Sequence, residues 1–294
     1  MPLQVQYQNL VMSSFVLYLN NLLLSKGGYT NVGTRFYPSN TIFNGYSAYN
    51  APYKPINFDS SYSTTVMTGV YVNGSYLTLN QSGYAGVDFN RASVYFTGSN
   101  TPIISVVSGN YSIPEYNILF PAPDISMIFE NKMALVNRNK TPLNTANTGL
   151  NSSEITYPVI FVRSESFSNK PHEFGGVDLT TTSIGCYIFS DNAYSFDAIR
   201  SIFADEKYQY FALFDTGELP TNNINSLKSI YSGGFNYTGI ANLSSRIGNN
   251  QAMFINDVVS TNFSNRGLFA EVASLPSDVY FGIVEFEVNK PRLT

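Results

Sequence analysis

The chain holds one histidine, His172, and one cysteine, Cys186. A serine or cysteine hydrolase needs a nucleophile activated by a neighbouring base. An imidazole base here has to be His172. That residue opens His172-Glu173-Phe174-Gly175-Gly176, which reads as a turn with two positions free to take positive φ. No Gly-x-Ser-x-Gly elbow accompanies it. Cys186 lies inside a β-branched and aromatic run, where a thiol is ordinarily a small buried hydrophobe. His-Glu-x-x-His, paired Cys-x-x-Cys and the phosphate-binding Gly-rich lysine loop are all missing. Two carboxylate pairs, Asp205-Glu206 and Glu285 with Glu287, have the chemistry to flank a glycosidic bond. The first reads as a solvated helix end. The second reads as two outward positions of one strand. The sequence therefore predicts no catalytic residue, no metal ligand and no cofactor, and a protein that is not an enzyme.

Composition narrows the partners. Only 12% of the 294 residues are charged, and the net charge is −4. That is about half the usual charged share of ~25%. Polarity comes instead from Asn, Ser, Thr and Tyr, alongside 22 Tyr, 22 Phe and no Trp. Such a chain suits extensive sheet and neutral, hydrogen-bonded contact surfaces, with weak electrostatic steering. Sixteen Lys and Arg without a cluster make no broad phosphate-neutralising surface. One cysteine excludes an intrachain disulfide. Met1-Pro2-Leu3-Gln4 lacks the basic start of a signal peptide. The apolar stretch Phe15-Val16-Leu17-Tyr18-Leu19 is cut by Asn20-Asn21, too short to cross a membrane. Asn-x-Ser/Thr triplets such as Asn73-Gly74-Ser75 are incidental in a chain this rich in Asn and Ser.

The elements around these residues are mostly strands. Tyr157-Pro158-Val159-Ile160-Phe161-Val162-Arg163 reads as a strand, and the run from Thr180 to Phe189 as another. Ser195 is a helix cap before Phe196, Ile199 and Phe203, which share one apolar face. The run from Lys207 to Phe214 returns as a strand. The unit is strand, turn, strand, helix, strand. The run from Val279 to Val288 reads as a late strand closing the same sheet. Shorter strands are expected at 252–255 and 268–272, and a short helix capped by Asn225 at 226–231.

Upstream, Val11, Phe15, Tyr18 and Leu22 recur at helical spacing over residues 5–25, and Gly27-Gly28 ends the helix. Residues 26–60 carry Gly, Pro, Tyr and Asn in a long irregular run, read as an extended arm. Residues 62–108 read as hairpins, with Asn73-Gly74 as the clearest turn. Strand-like runs stand at 118–121 and 127–130, a further strand at 101–108, and a polar loop at 139–154. The fold class is α+β, predominantly β. An N-terminal helix, arm and β-meander or sandwich fill residues 1–150. A small mixed sheet with one covering helix fills residues 151–294.

The order of strand, Gly-Gly turn, strand, helix and strand over residues 157–215 resembles the tail-terminator, tail-completion and neck proteins of tailed bacteriophages. The likeness covers about 60 residues and includes no catalytic signature. It implies a structural virion protein, assembled in the host cytoplasm, that forms a homo-oligomeric ring at the neck as a head–tail connector, or at the tail end. Its partners are then itself and the adjoining neck, portal and tail proteins, with passive passage of DNA through the ring and no membrane. The first 150 residues are an addition to that pattern. The arm then supplies candidate subunit contacts: Phe36, Tyr37, Phe43, Tyr46, Tyr49 and Tyr53. Each ring can bury roughly 150–250 Å². The loop at 139–154 is expected to reach outside its own domain as well. The alternative from a different class is a glycan- or receptor-binding β-sandwich of a phage tail or baseplate, in which tyrosines line a groove.

Overall fold

The protein was examined as a computed structural model that describes residues 7–43, 46–53, 55–89, 92–97, 106–119, 134–136, 154–171, 177–215, 218, 235–263 and 279–293. The chain is α+β and mostly β. Its first sheet has seven strands: β1 (Tyr29–Phe43), β2 (Tyr46–Asn50), β3 (Gly69–Val72), β4 (Ser75–Thr78), β5 (Tyr84–Asp88), β6 (Ser93–Thr97) and β7 (Val107–Pro114), ordered β4-β3-β7-β1-β2-β6-β5. The β3–β4 hairpin turns at Asn73 (φ 50°) and Gly74 (φ 87°), the pair of positive angles that a two-residue hairpin turn requires.

Connectivity forces this sheet to roll up. β4 and β5 stand at opposite ends of the order, yet Thr78 and Tyr84 are six residues apart. Six extended residues reach about 21 Å. A flat sheet of seven strands is about 29 Å wide. The sheet closes toward a barrel, and one core fills it: Phe36, Tyr49, Val70, Tyr84, Val94, Phe96, Val107 and Tyr111 come from six different strands. β1 is the corner. Its first half, to Phe36, pairs with β7, and its second half, from Tyr37, pairs with β2.

The second sheet has six strands, ordered β13-β14-β15-β12-β11-β8. These are β8 (Asn117–Leu119), β11 (Val159–Pro171), β12 (Val177–Ser190), β13 (Tyr210–Ala212), β14 (Ala252–Asn262) and β15 (Tyr280–Leu293). β8 runs parallel to β11, and every other pairing is antiparallel. A separate parallel pair joins β9 (Ala134–Val136) to β10 (Glu154–Thr156). Alternation sorts the second sheet's faces. Ile184, Cys186 and Ile188 of β12 and Val284, Phe286 and Val288 of β15 all point to one side and are buried. Glu285 and Glu287 point to the other and are exposed. β15, the late strand expected in this sheet, is a central strand between β12 and β14.

Two helices cover the buried side. In α1 (Tyr7–Ser25), Phe15 packs edge-on against Phe211 at 5.4 Å and Phe286 at 5.0 Å. The helix ends where the Gly28 N–H reaches Leu23 C=O and the Gly27 N–H reaches Leu24 C=O, each 3.0 Å, a Schellman pattern. In α2 (Ala193–Ala204), the buried residues are Phe196, Ile199 and Phe203, the expected face. The cap is Asn192, whose side chain accepts from the Tyr194 N–H at 2.8 Å. Ser195 is not the cap. Two short helices follow, α3 (Tyr237–Ala241) and α4 (Leu243–Gly248).

Several expectations need correcting. Residues 26–60 are no irregular arm, because β1 and β2 place most of them in a hydrogen-bonded ladder. Sequence order groups α1 with the first half, but its side chains pack on the second sheet. Of the strand expected at 101–108, Val107 and Ser108 open β7, which runs on to Pro114, and residues 101–105 lie outside the described residues. The return strand after α2 shortens to β13. The runs at 127–130, 226–231 and 268–272, His172, and nearly all of the loop at 139–154 lie outside the described residues.

Candidate functional site

The residues with chemical potential do not converge on one centre. Cys186 is fully buried under the helices, and burial pushes its thiol pKa well up, away from a thiolate. Glu285 and Glu287 stand exposed on the open face. The Glu287 Oε1 accepts from Asn256 Nδ2 at 2.8 Å. Asp205 is the solvated cap of α2, whereas Glu206 is half-buried and accepts the Tyr18 hydroxyl. On the open face, Glu165 lies across β12 and its Oε1 accepts the Tyr187 hydroxyl at 2.6 Å. Gly185 makes room for it: a Cβ there would meet Glu165 Oε1 at 2.9 Å. Burial raises the Tyr187 phenol, and the Glu165 carboxylate raises it further. Among the described residues, no group of three His, Cys, Asp or Glu could hold a metal ion.

Two buried ionic groups escaped the sequence reading, and both are fully engaged. Asp59 is buried on the connection between β2 and β3, where that connection meets α1 and the start of α3. Its Oδ1 accepts from the Ser61 N–H (2.9 Å), the Ser61 hydroxyl (2.6 Å) and the Tyr237 N–H (3.2 Å), and its Oδ2 from Asn21 Nδ2 (3.2 Å). It ties α1, residues 57–62 and the start of α3 together. A cluster such as Asn57-Phe58-Asp59-Ser60-Ser61 is the signal for such side-chain-to-backbone turns. Arg246 is buried beneath Phe214, its guanidinium 4.7 Å from the ring centre. It donates to Leu213 C=O at 2.5 Å and to Glu218 Oε1 at 2.7 Å. The Arg246 hydrogen bond holds the Glu218 carboxyl pKa below its ordinary value. Neither group has a free coordination direction aimed at a ligand. They fasten the fold.

The six aromatic candidates separate. Phe36 and Tyr49 are buried in the chain's own core, against Tyr111 at 5.7 Å and Phe96 at 5.6 Å. They cannot be subunit contacts, because strand alternation turns them inward. Tyr37 is half-buried, with the Arg35 guanidinium 5.6 Å over its ring. Tyr46 is half-buried and Tyr53 is exposed. The Phe43 backbone pairs with Tyr46, and its side chain lies outside the described residues.

Further exposed rings lie elsewhere. On the β3–β4 hairpin, Tyr71 and Tyr76 are both exposed with ring centres 5.0 Å apart. At the margin of the second sheet, Tyr208 is 62% exposed and Tyr210 40%. Both lean on Phe254, Tyr208 stacked at 6.3 Å and Tyr210 tilted at 4.9 Å. Beside them Lys207 and Asp257 form an ion pair at 2.8 Å, with the Lys207 ammonium 5.0 Å from the Tyr208 ring centre. Tyr208 also carries a backbone cost. It is the third residue of a turn closed by the Gln209 N–H onto Glu206 C=O at 3.2 Å, and its φ is +69°. Gly or Asn normally fills that position. Left-handed backbone costs another residue type about 1–2 kcal/mol. A mostly exposed ring recovers little of that by burial within the chain. No family model, no curated protein and no solved structure matches the chain. Among the described residues, no helix is long and apolar enough to cross a membrane.

Proposed function

We propose that the chain is a structural virion protein of a tailed phage, forming a homo-oligomeric ring at the neck, as a connector between portal and tail, or at the tail end. The observation that carries this reading is the Tyr208 and Tyr210 shelf: large rings held outward at a sheet margin, one at a backbone cost, with no catalytic constellation beside them. Interface cores are poor in charge and rich in Tyr and Phe, and this chain has both properties. The phage assignment itself rests on the order of elements over residues 157–215.

The glycan- or receptor-binding alternative asks for tyrosines lining one groove. The pairs Tyr71/Tyr76 and Tyr208/Tyr210 instead belong to two different sheets, which suits contacts spread over a subunit's flanks. Light scattering combined with negative-stain images of the purified protein tests the proposal. Closed rings of uniform diameter are expected. A monodisperse monomer at every concentration, alone and with neck and tail proteins present, overturns it.

A further inference from the structure

The two margins of the second sheet are complementary in position. β11 pairs with β12 along its whole length, but β8 covers only Val159, Ile160 and Phe161 of its other side. Among the described residues, no strand pairs with that other side of β11 from residue 162 to residue 171. Within that stretch, residues 165–170 are exposed, including Phe167 at 39% exposure amid Ser and Asn. The opposite margin is β13, which among the described residues pairs only with β14.

Register places both margins on one line. Tyr210 pairs with Phe254, Phe254 with Asn289, Asn289 with Thr181, and Thr181 with Ser168. One cross-strand row therefore runs from Tyr210 at one margin to Ser168 at the other, about 19 Å across at the usual strand spacing. Four successive antiparallel pairings give β13 and β11 the same direction. A second copy placed in the plane of the sheet with its strands aligned sets its β11 beside β13, running parallel. Both margins carry charge of both signs, Lys207 with Asp257 on one and Arg163, Glu165 and Lys170 on the other, so like charge does not hold them apart.

We infer that copies of this chain join head to tail through these margins, the Tyr208 and Tyr210 shelf of one against residues 164–170 of the next, with Ser168 on the shelf's own face and Phe167 on the helix-covered face of the seam. Such a contact uses two different surfaces, so it propagates, and the right-handed twist of a sheet turns the propagation into a curve that can close. The strained position of Tyr208 then has a reason: it holds the ring over Phe254 at the margin with much of its surface open. The inference rests on the ring reading and specifies the surfaces for it.

The test is a mixing experiment on the full chain. Tyr208→Asn removes the ring and suits left-handed backbone, and Phe167→Asp puts a charge on the other margin. Phe167→Ser replaces it if thermal melts show that the Asp variant is unfolded. Each variant alone should weaken association by about 10-fold or more. An equal mixture should form heterodimers in native mass spectrometry, because each variant keeps one intact margin. A mixture that stays monomeric overturns the head-to-tail contact. A wild-type oligomer unaffected by either substitution overturns it too, and leaves the ring reading standing. A wild-type chain that never associates overturns both.

Discussion

Two aromatic stretches of this chain end up on opposite sides of the water boundary. Between Tyr29 and Asn50 the rings of Phe36 and Tyr49 turn into the rolled sheet. Between Lys207 and Tyr210 the rings of Tyr208 and Tyr210 turn out. The residue types are the same, so composition does not decide the matter. In β1, period-two alternation inside a curled sheet turns Phe36 to the core, and β2 buries Ala48 and Tyr49 together beside it. After α2, a turn with Tyr208 at positive φ breaks that alternation before β13 begins. Where an aromatic run is a strand of a closing sheet, it builds the fold. Where it is a turn at a sheet margin, it is available to something else.

The comparison predicts unequal consequences for similar substitutions. Phe36→Ala should cost about 3–5 kcal/mol of stability, as for other fully buried rings, measured by denaturant unfolding. A loss below 1 kcal/mol would mean that the β1 ring is not core. Asp59→Ala strips the Ser61 and Tyr237 N–H groups and the Asn21 amide of their acceptor. It should cost about 3 kcal/mol and loosen the attachment between the sheets. Unfolding in two separate steps would be its signature in calorimetry.

Smaller effects belong to the outer groups. The Glu218 carboxyl is held below its ordinary pKa of 4.5 by Arg246. Its folded pKa is the lower one, so its contribution is present above pH 4.5 and is lost as pH falls through the folded value. Glu218→Gln should lower Tm modestly at neutral pH, where the charged pair contributes, leave it unchanged at low pH, and so flatten the acid limb of a Tm-against-pH curve. An acid limb identical to the wild type would contradict the pairing. Smallest of all, Tyr208→Asn should leave stability unchanged or raise it by up to about 1 kcal/mol. A clear drop in Tm would place that ring among the fold's supports.

Local patterns were legible in the sequence and long-range ones were not. The α2 face shows at i, i+3 and i+7 through Phe196, Ile199 and Phe203, and the Asn73-Gly74 turn announces its hairpin. Both depend on neighbours within a few residues. The ladder of β1 is invisible at that range. Its partner β7 lies far along the chain, with Gly109 opposite Thr34, and Gly33 and Pro38 interrupt the strand pattern locally. The home of α1 is likewise set by contacts with Phe211 and Phe286, nearly two hundred residues or more away. The cap shifted from Ser195 to Asn192 because both residue types accept a backbone N–H, and only geometry chooses. Of the six proposed contact aromatics, Phe36 and Tyr49 went inside with the ladder that the sequence concealed. Tyr208 was passed over because Lys207-Tyr208-Gln209 contains no Gly or Asn to mark a left-handed turn.

Amide hydrogen exchange, compared between dilute and concentrated protein, tests the central claim most directly. It reads both aromatic stretches in one experiment. The account predicts new protection on concentration at residues 164–170 and 207–210, and none at residues 29–50, which are already protected in the monomer. Protection gained at residues 29–50, or at neither margin of the second sheet while the protein associates, would contradict it.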